Sequence, residues 1–490
     1  MGRHKKEKTD NGTSKSLRAR RAWQSRFSRD CRVADARRNE SAFNDCLWPC
    51  RVRNLMKSEK FTFDLLTYSI WGVMALTFLS GIFLTVHYIP AFAQAFSSLQ
   101  RVNEQVAFGW MLRRLHAAGG SFLLLLLILH LLRAFYTGTY KTKAGSVWVT
   151  EVLLVLFTWW TNFVGSFLPL SQEAFWGTAA TLSSLSTISW VGNFLVEFLR
   201  GGRELGGVAL ARFFSMHIGF AALIALLLFN HYRKGISESR EEGKNSLSLN
   251  LWTAAAVAVL LFSVVTFAPH WFADPLQEAA NPMINPEVTS SPWYCFFLQE
   301  TLSYFNAAYP VLSFLLWAVI LLLLFSLPYL DRSPEKSFLL RPISLSAGSA
   351  LVAVVVYFTL LGIAGGHYGD KVVIAQGPLS PAERRGVWVF AQKNCAYCHQ
   401  VFGQGGRREG PDMAVVLQRN RSPEWVQRFI LNARLYQPGT TMPRYEIPLE
   451  DLEGLSAYLL SLDPERRRFQ TIDRELLLGT EHSKGSPERK

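Results

Sequence analysis

The sequence predicts an all-α protein: a polytopic bundle of about seven membrane helices followed by a small soluble helical domain. Three observations predict it. Seven stretches, near 65–89, 112–135, 147–168, 210–231, 251–269, 309–328 and 343–365, reach the about 17–25 apolar residues that span a bilayer. Two of them carry histidine pairs at one spacing. LRRLHAAGGSFLLLLLILHLLRAF holds His116 and His130, and ARFFSMHIGFAALIALLLFNHYRK holds His217 and His231. From about residue 378 the chain turns polar and contains no further stretch of membrane length.

The bulk numbers exclude a single soluble globule. The chain is 49% hydrophobic, and its mean hydropathy of +0.13 averages an apolar middle with polar ends. A net charge of +14 would suit a nucleic-acid partner, but its placement argues against one. Seventeen Lys and Arg against seven Asp and Glu crowd residues 1–60, directly before the first apolar run, where a cytoplasmic anchor puts them. Residues 1–60 therefore read as a basic cytoplasmic extension without sustained periodicity. Cys31, Cys46 and Cys50 lie in it; CLWPC has no haem-attachment pattern, so free thiols are expected. No cleavable signal peptide is visible before residue 61.

Charge sets the orientation. The connections after spans two, four and six carry Lys141 and Lys143, then Arg233, Lys234, Arg240 and Lys244, then Arg332, Lys336 and Arg341. Residues 269–308 contain no Lys or Arg. The even connections thus face the cytoplasm, and an odd span count puts the C-terminal domain outside. The outer connection 169–209 is amphipathic, and short surface helices are expected there. The outer connection 270–308 is rich in proline and aromatics and contains SSPWYCFF.

The histidine partners are 14 residues apart in both spans. At about 100° and about 1.5 Å per residue they share nearly one face, roughly 21 Å apart. A histidine inside a membrane span is costly unless partnered, so it marks function. Spans two and four run in the same direction, which sets His116 opposite His217 near the outer surface and His130 opposite His231 near the inner one. Two opposed pairs suit two six-coordinate haems. Gly119, Gly120 and Gly219 fit the approach of a flat macrocycle or small-residue helix packing. Arg113 and Arg133, three residues outside His116 and His130, fit haem propionates or interfacial snorkelling.

At this point the residues resemble a family. GWMLRRLHAAGGSF with LHLLRAFYTGTYK, then GSFLP, SQEAFWGTAAT, RFFSMH, FAPHWFADPL and LPYLDRS resemble cytochrome b of Rieske/cytochrome b complexes over about 61–365. The resemblance implies a haem-b-binding four-helix bundle over 61–240 and a three-helix C-terminal portion over 241–366. It implies that His116 and His217 ligate the low-potential haem b and His130 and His231 the high-potential one, both non-covalently. It also implies quinol oxidation beside Gly165, the SQEAFWG helix and the SPWY turn with Trp293 and Tyr294. One departure matters. The family's Pro-Glu-Trp-Tyr signature is here Ser291-Pro292-Trp293-Tyr294, so its proton-accepting carboxylate is absent. Glu287 and Glu300 are the nearby candidates. The segment HYRKGISES also lacks the family's usual inner-quinone pattern.

In the C-terminal domain, expected over 378–464, NCAYCHQ supplies Cys395-x-x-Cys398-His399, the signature for covalent haem c attachment. Two thiols one turn apart add to the vinyl groups and His399 ligates the iron. GTTMPRY offers Met442 as the second ligand, an arrangement that raises the potential; Met413 is the rival. The segment resembles small bacterial cytochromes c, whose haem attachment is periplasmic, in agreement with the span count. Residues 465–490 read as a charged tail.

These features imply a cytochrome b/c fusion subunit of a quinol–cytochrome c oxidoreductase, in a bacterial inner membrane. Its Rieske iron–sulfur centre comes from another polypeptide, since the chain has no Cys/His set for one. The quinone pool, a downstream cytochrome or terminal oxidase and a homodimeric complex are implied with it. A Rieske-less quinone-linked electron conduit is the second reading, and a non-enzymatic haem-binding redox sensor or assembly protein the third.

Overall fold

The computed structural model describes residues 65–482 apart from 142–144, 187, 189–190, 203, 240–246, 269–275, 277, 283–290, 307–309, 334, 337–339, 365–370, 405–409, 415–420, 438–439, 441 and 464–466. The chain divides into two compact units, 1–67 and 68–490. Of the first, only the start of helix α1 is described. The basic extension 1–60 with Cys31, Cys46 and Cys50 lies outside the described residues, as does Glu287.

The apolar part runs α1 (Leu65–His87), α2 (Ala95–Gln105), α3 (Gly109–Thr137), α4 (Ser146–Phe167), α5 (Gln172–Ser186), α6 (Val191–Arg200), α7 (Gly207–Ser239), α8 (Leu247–Phe267), α9 (Phe296–Asn306), α10 (Pro310–Leu330) and α11 (Pro342–Ala364). Long helices are the expected outcome of such runs, because lipid satisfies no backbone polar group. α1, α3, α4, α7 and α11 each contain a stretch long and apolar enough to cross a membrane. α8 and α10 hold shorter apolar stretches over their described parts. All seven expected spans fall on these helices, and the connection expected to form short helices folds as α5 and α6.

Glycines at positive φ punctuate the bundle. Gly138 (φ +68°) closes α3 by donating its N–H to the carbonyls of Ala134 and Phe135, and Gly145 (φ +61°) precedes α4. α3 packs on α4 and α8, and α4 packs along α7. Their contact faces form two apolar clusters. One joins Ile70, Val73, Leu123, Leu127, Leu154 and Leu228. The other joins Phe163, Phe167, Phe175, Trp176 and Phe213 with Tyr294.

A polar lock ties α3 to α10 and α11. Buried Arg341 donates to the Tyr140 hydroxyl (3.1 Å) and to the last-turn carbonyls of Phe135 (3.1 Å) and Tyr136 (2.8 Å). The Tyr140 hydroxyl donates to Asp331 (2.6 Å), and Lys141 Nζ pairs with the same carboxylate (2.6 Å). The guanidinium thus bonds the last-turn Tyr136 carbonyl and shares the Phe135 carbonyl with the Gly138 N–H.

The C-terminal domain comprises β1 (Lys371–Ala375), α12 (Pro381–Gln392), α13 (Pro423–Leu431), α14 (Leu449–Leu460), β2 (Phe469–Asp473) and α15 (Arg474–His482). Ser380 and Glu383 form a capping box at the start of α12, with Pro381 in the first turn. α12 crosses α14 where Gly386 meets Gly454; a Cβ on Gly386 would overlap the Gly454 carbonyl. Phe390 and Tyr458 seal that crossing edge to face, 5.4 Å apart.

Here the expected boundaries shift. β1 and β2 pair antiparallel, Lys371 opposite Asp473 and Ala375 opposite Phe469, and Val372 and Val373 are buried in the domain core. Arg474 donates to the Ala391 carbonyl (2.8 Å), and Leu477 and Leu478 pack on the same core. The described domain thus begins before 378 and continues past 464. Part of the expected tail is structural, and it adds a two-stranded sheet to a fold that is helical as expected. The charged residues of 465–474 concealed a strand whose partner lies about a hundred residues earlier.

Candidate haem centres

α3 and α7 bring the four histidines together in the expected pairs. The rings of His116 and His217 lie 5.8 Å apart at 73°, and those of His130 and His231 lie 5.8 Å apart at 79°. Two imidazoles bound to one metal from opposite sides, at about 2 Å each, put their ring centres about 6 Å apart. Both levels match that separation.

At the first level each ring is braced from a neighbouring helix by one device. His116 Nδ1 lies 2.9 Å from the Thr77 carbonyl on α1, and His217 Nδ1 lies 3.0 Å from the Thr161 carbonyl on α4. A carbonyl only accepts, so each Nδ1 carries the proton and leaves Nε2 as the free ligand atom. Four residues beyond each threonine stands a glycine. A Cβ on Gly81 would come within 2.8 Å of His116 Cε1, and one on Gly165 within 2.6 Å of His217 Cε1. In a helix residue i+4 hides the carbonyl of residue i, and glycine there leaves its second lone pair open to an imidazole. The sequence reading missed Thr77, Thr161 and Gly81. Their signal, Thr-x-x-x-Gly, occurs as TFLSG on α1 and TNFVG on α4. Gly119 and Gly120 serve close helix packing: added Cβ atoms would overlap Thr77 Oγ1 and Asn162 Oδ1. Asn162 Nδ2 donates to the Gly120 carbonyl (2.8 Å).

The second level is built differently. Glu151 of α4 places Oε1 3.6 Å from His130 Nδ1 and 3.6 Å from His231 Nε2, and all three groups are largely enclosed. Arg133 follows His130 by one turn on α3. Arg113 is buried, and its Nε donates to Asn103 Oδ1 of α2 (3.3 Å), so it does not extend freely to an interface.

In the C-terminal domain Cys395 opens a short turn, Cys395–Tyr397, after α12. The His399 N–H donates to the Cys395 carbonyl (3.0 Å), and His399 Nδ1 donates to the Pro411 carbonyl (2.9 Å), again freeing Nε2. Gly410 lies so close that a Cβ would overlap the His399 ring. Burial lowers the His399 pKa below its ordinary value, outweighing the Pro411 bond and the Asp412 charge, so the ring is in the neutral form a metal ligand needs. Cys395, Met413 and Met442 all pack against the domain core. The backbone N–H of Met413 donates to the Gln400 carbonyl (2.8 Å), in the segment that follows His399. Met442 comes from the separate connection between α13 and α14.

The two segments expected to flank quinol meet in the fold. At the α5 start the Gln172 N–H donates to the Glu278 carbonyl (2.9 Å), and Gln172 Oε1 accepts from the Asn281 N–H (2.6 Å). Thr181 of α5 shares a 2.9 Å hydrogen bond with Ser291, and Trp159 Nε1 donates to the Tyr294 carbonyl (2.8 Å). Trp293 is half-buried and Tyr294 buried in a short turn before α9. Glu300 is buried on α9.

Three family profiles match in order. Cytochrome b/b6/petB matches residues 56–235, cytochrome b(C-terminal)/b6/petD matches 279–380, and cytochrome c matches 384–463. The fold is similar to a chain of "Hyperthermophilic respiratory Complex III", at 24% identity and a TM-score of 0.53, over 68% of this chain and 88% of that one. The chain belongs to the cytochrome b family, carrying that family's N- and C-terminal parts with a cytochrome c domain fused behind them.

Proposed function

We propose that the chain is the electron-carrying subunit of a membrane quinol–cytochrome c oxidoreductase. The observation that carries this reading is the 5.8 Å separation of both histidine pairs, with the first pair braced through Nδ1. Two haems b bound there would supply one-electron carriers, and a haem c attached through Cys395 and Cys398 would supply a third. The residues of the chain hold and shield these groups. His116 with His217 and His130 with His231 would hold the two haems b. Arg113 and Arg133 would pair with haem propionates, and the small residue at Gly119 keeps α1 and α3 close. In the C-terminal domain His399 and Met442 would hold the haem c iron, since the Met413 backbone is tied into the segment that leads from His399.

Quinol binds beside Gly165, α5 and the Trp293–Tyr294 turn, where the Thr181–Ser291 bond fixes the turn against α5. Glu287 and Glu300, either side of that turn, are the carboxylates assigned to take its protons. A Rieske iron–sulfur protein, the quinone pool, a downstream cytochrome or terminal oxidase and a second copy of the chain complete the assembly. The assembly sits in a bacterial inner membrane, and the distribution of Lys and Arg supports a cytoplasmic N-terminus and a periplasmic cytochrome c domain.

The test is to purify the complex, count haems and identify subunits. Two haems b and one haem c per chain, an iron–sulfur subunit and quinol-dependent reduction of haem c are expected. Pro292 at the family's carboxylate position favours one rival, a Rieske-less quinone conduit. That rival predicts the same haems without the iron–sulfur subunit.

A further inference from the structure

α4 contributes one residue to each histidine level. Gly165 meets His217, and Glu151 meets His231 and His130. Gly165 and Glu151 are fourteen residues apart, the same step that separates His217 from His231. Glu151 therefore occupies at the second level the place that Gly165 occupies at the first. The helix that offers the first pair an uncharged carbonyl offers the second pair a carboxylate, with its side chain 9% exposed. A charge placed so deep in an apolar bundle is costly and marks function. Its Oε1 is equidistant, 3.6 Å, from one nitrogen of each ring.

We infer that Glu151 is a positioning residue of the second haem site, holding its two histidines and lowering the reduction potential of the haem between them. The inference rests on the two-haem reading above. A carboxylate beside ligating imidazoles makes them more basic and orients them. Its negative charge also favours the ferric over the ferrous form, whose net charge is one unit less positive. At the first level the described contacts of the two Nδ1 atoms are the backbone carbonyls of Thr77 and Thr161. The two sites are thus electrostatically unlike although their histidine geometry is the same. The same three groups form a two-histidine, one-carboxylate set with ligand atoms within 4.8 Å of one another, which is the competing possibility of a bare divalent ion.

The full-length protein, purified in detergent with its haems, decides the matter. Wild type, Glu151→Gln and Glu151→Gly are compared by haem b and metal content per chain and by a redox titration that follows the haem b absorption. Glutamine keeps the shape without the charge, and glycine restores the first-level pattern. Two haems b are expected in all three proteins. One reduction wave moves up by at least tenfold in its equilibrium in both variants, 59 mV for a one-electron couple. That wave is the one missing from His231→Leu, and the other stays in place. Two haems b with neither wave moved overturns the inference and leaves the two-haem reading standing. One haem b with a stoichiometric divalent ion that is lost in Glu151→Gln overturns it in favour of a metal site. A wild type without haem b overturns the two-haem reading and this inference together.

Discussion

Replacing Gly165 with alanine tests the brace that holds the first haem site. The new Cβ lands 2.6 Å from His217 Cε1 and 2.7 Å from its Nδ1. An unstrained contact needs about 3.5 Å, so the ring must retreat by about 1 Å. That retreat breaks the 3.0 Å bond from Nδ1 to the Thr161 carbonyl. The bond itself contributes about 1 kcal/mol net. Losing such a support behind a ligand typically weakens metal-centre binding by about 10–100-fold. Haem b per chain after extended detergent washing, with reduced-minus-oxidised spectra, reads the effect. The first-level haem should be depleted while the second-level haem and haem c stay. Gly72→Ala on α1 is the control, because its Cβ meets the Ala254 Cβ at an ordinary 3.5 Å. A Gly165→Ala protein with a full haem complement and unchanged spectra refutes the argument.

Further outcomes follow from other sites. Met442→Ala should lower the haem c potential and remove its methionine–iron charge-transfer band, whereas Met413→Ala should leave both in place; the reverse result would exchange the two residues' roles. Arg341→Ala strips the end of α3 and Tyr140 of a buried cationic donor. Removing one member of such a network costs about 3–5 kcal/mol. Thermal unfolding and proteolysis of the α10–α11 connection should show the loss, and Arg341→Lys should recover only part of it. Burial alone would raise the Glu383 carboxyl, but bonds from the Ser380 backbone and hydroxyl and from Arg467 (2.8 Å) hold it below the usual glutamate range. A depressed folded value means that its stabilisation is present above about pH 4.3 and fades as the pH falls through the folded value. Acid unfolding of the cytochrome c domain, followed through its haem band, should therefore be less steep in Glu383→Gln.

How far the site could be read in advance differs from residue to residue. His116, His130, His217 and His231 announce themselves, because an imidazole in a membrane-length run is unusual and two runs share one spacing. Their pairing followed from counting spans between them. The supports were harder to see. Thr77 and Thr161 act through backbone carbonyls, which every residue has. Only the neighbouring helix shows which carbonyl meets an imidazole, although the glycine four residues on is a usable signal. Gly119 and Gly120 read equally well as macrocycle contacts or as packing positions. The nearness of Thr77 and Asn162 shows that they serve packing.

Span positions, the histidine register and the Cys-x-x-Cys-His motif were determined by the sequence alone. Each depends on residues within a few turns of one another, where the spacing along the chain is also the spacing in space. The tertiary structure alone decided that Glu151 lies at 3.6 Å from both second-level rings and that Phe469–Asp473 completes a sheet with Lys371–Ala375. Those contacts join segments far apart in the chain. Local propensity and hydrophobic period carry no information about which distant surface a carboxylate or a strand edge will meet.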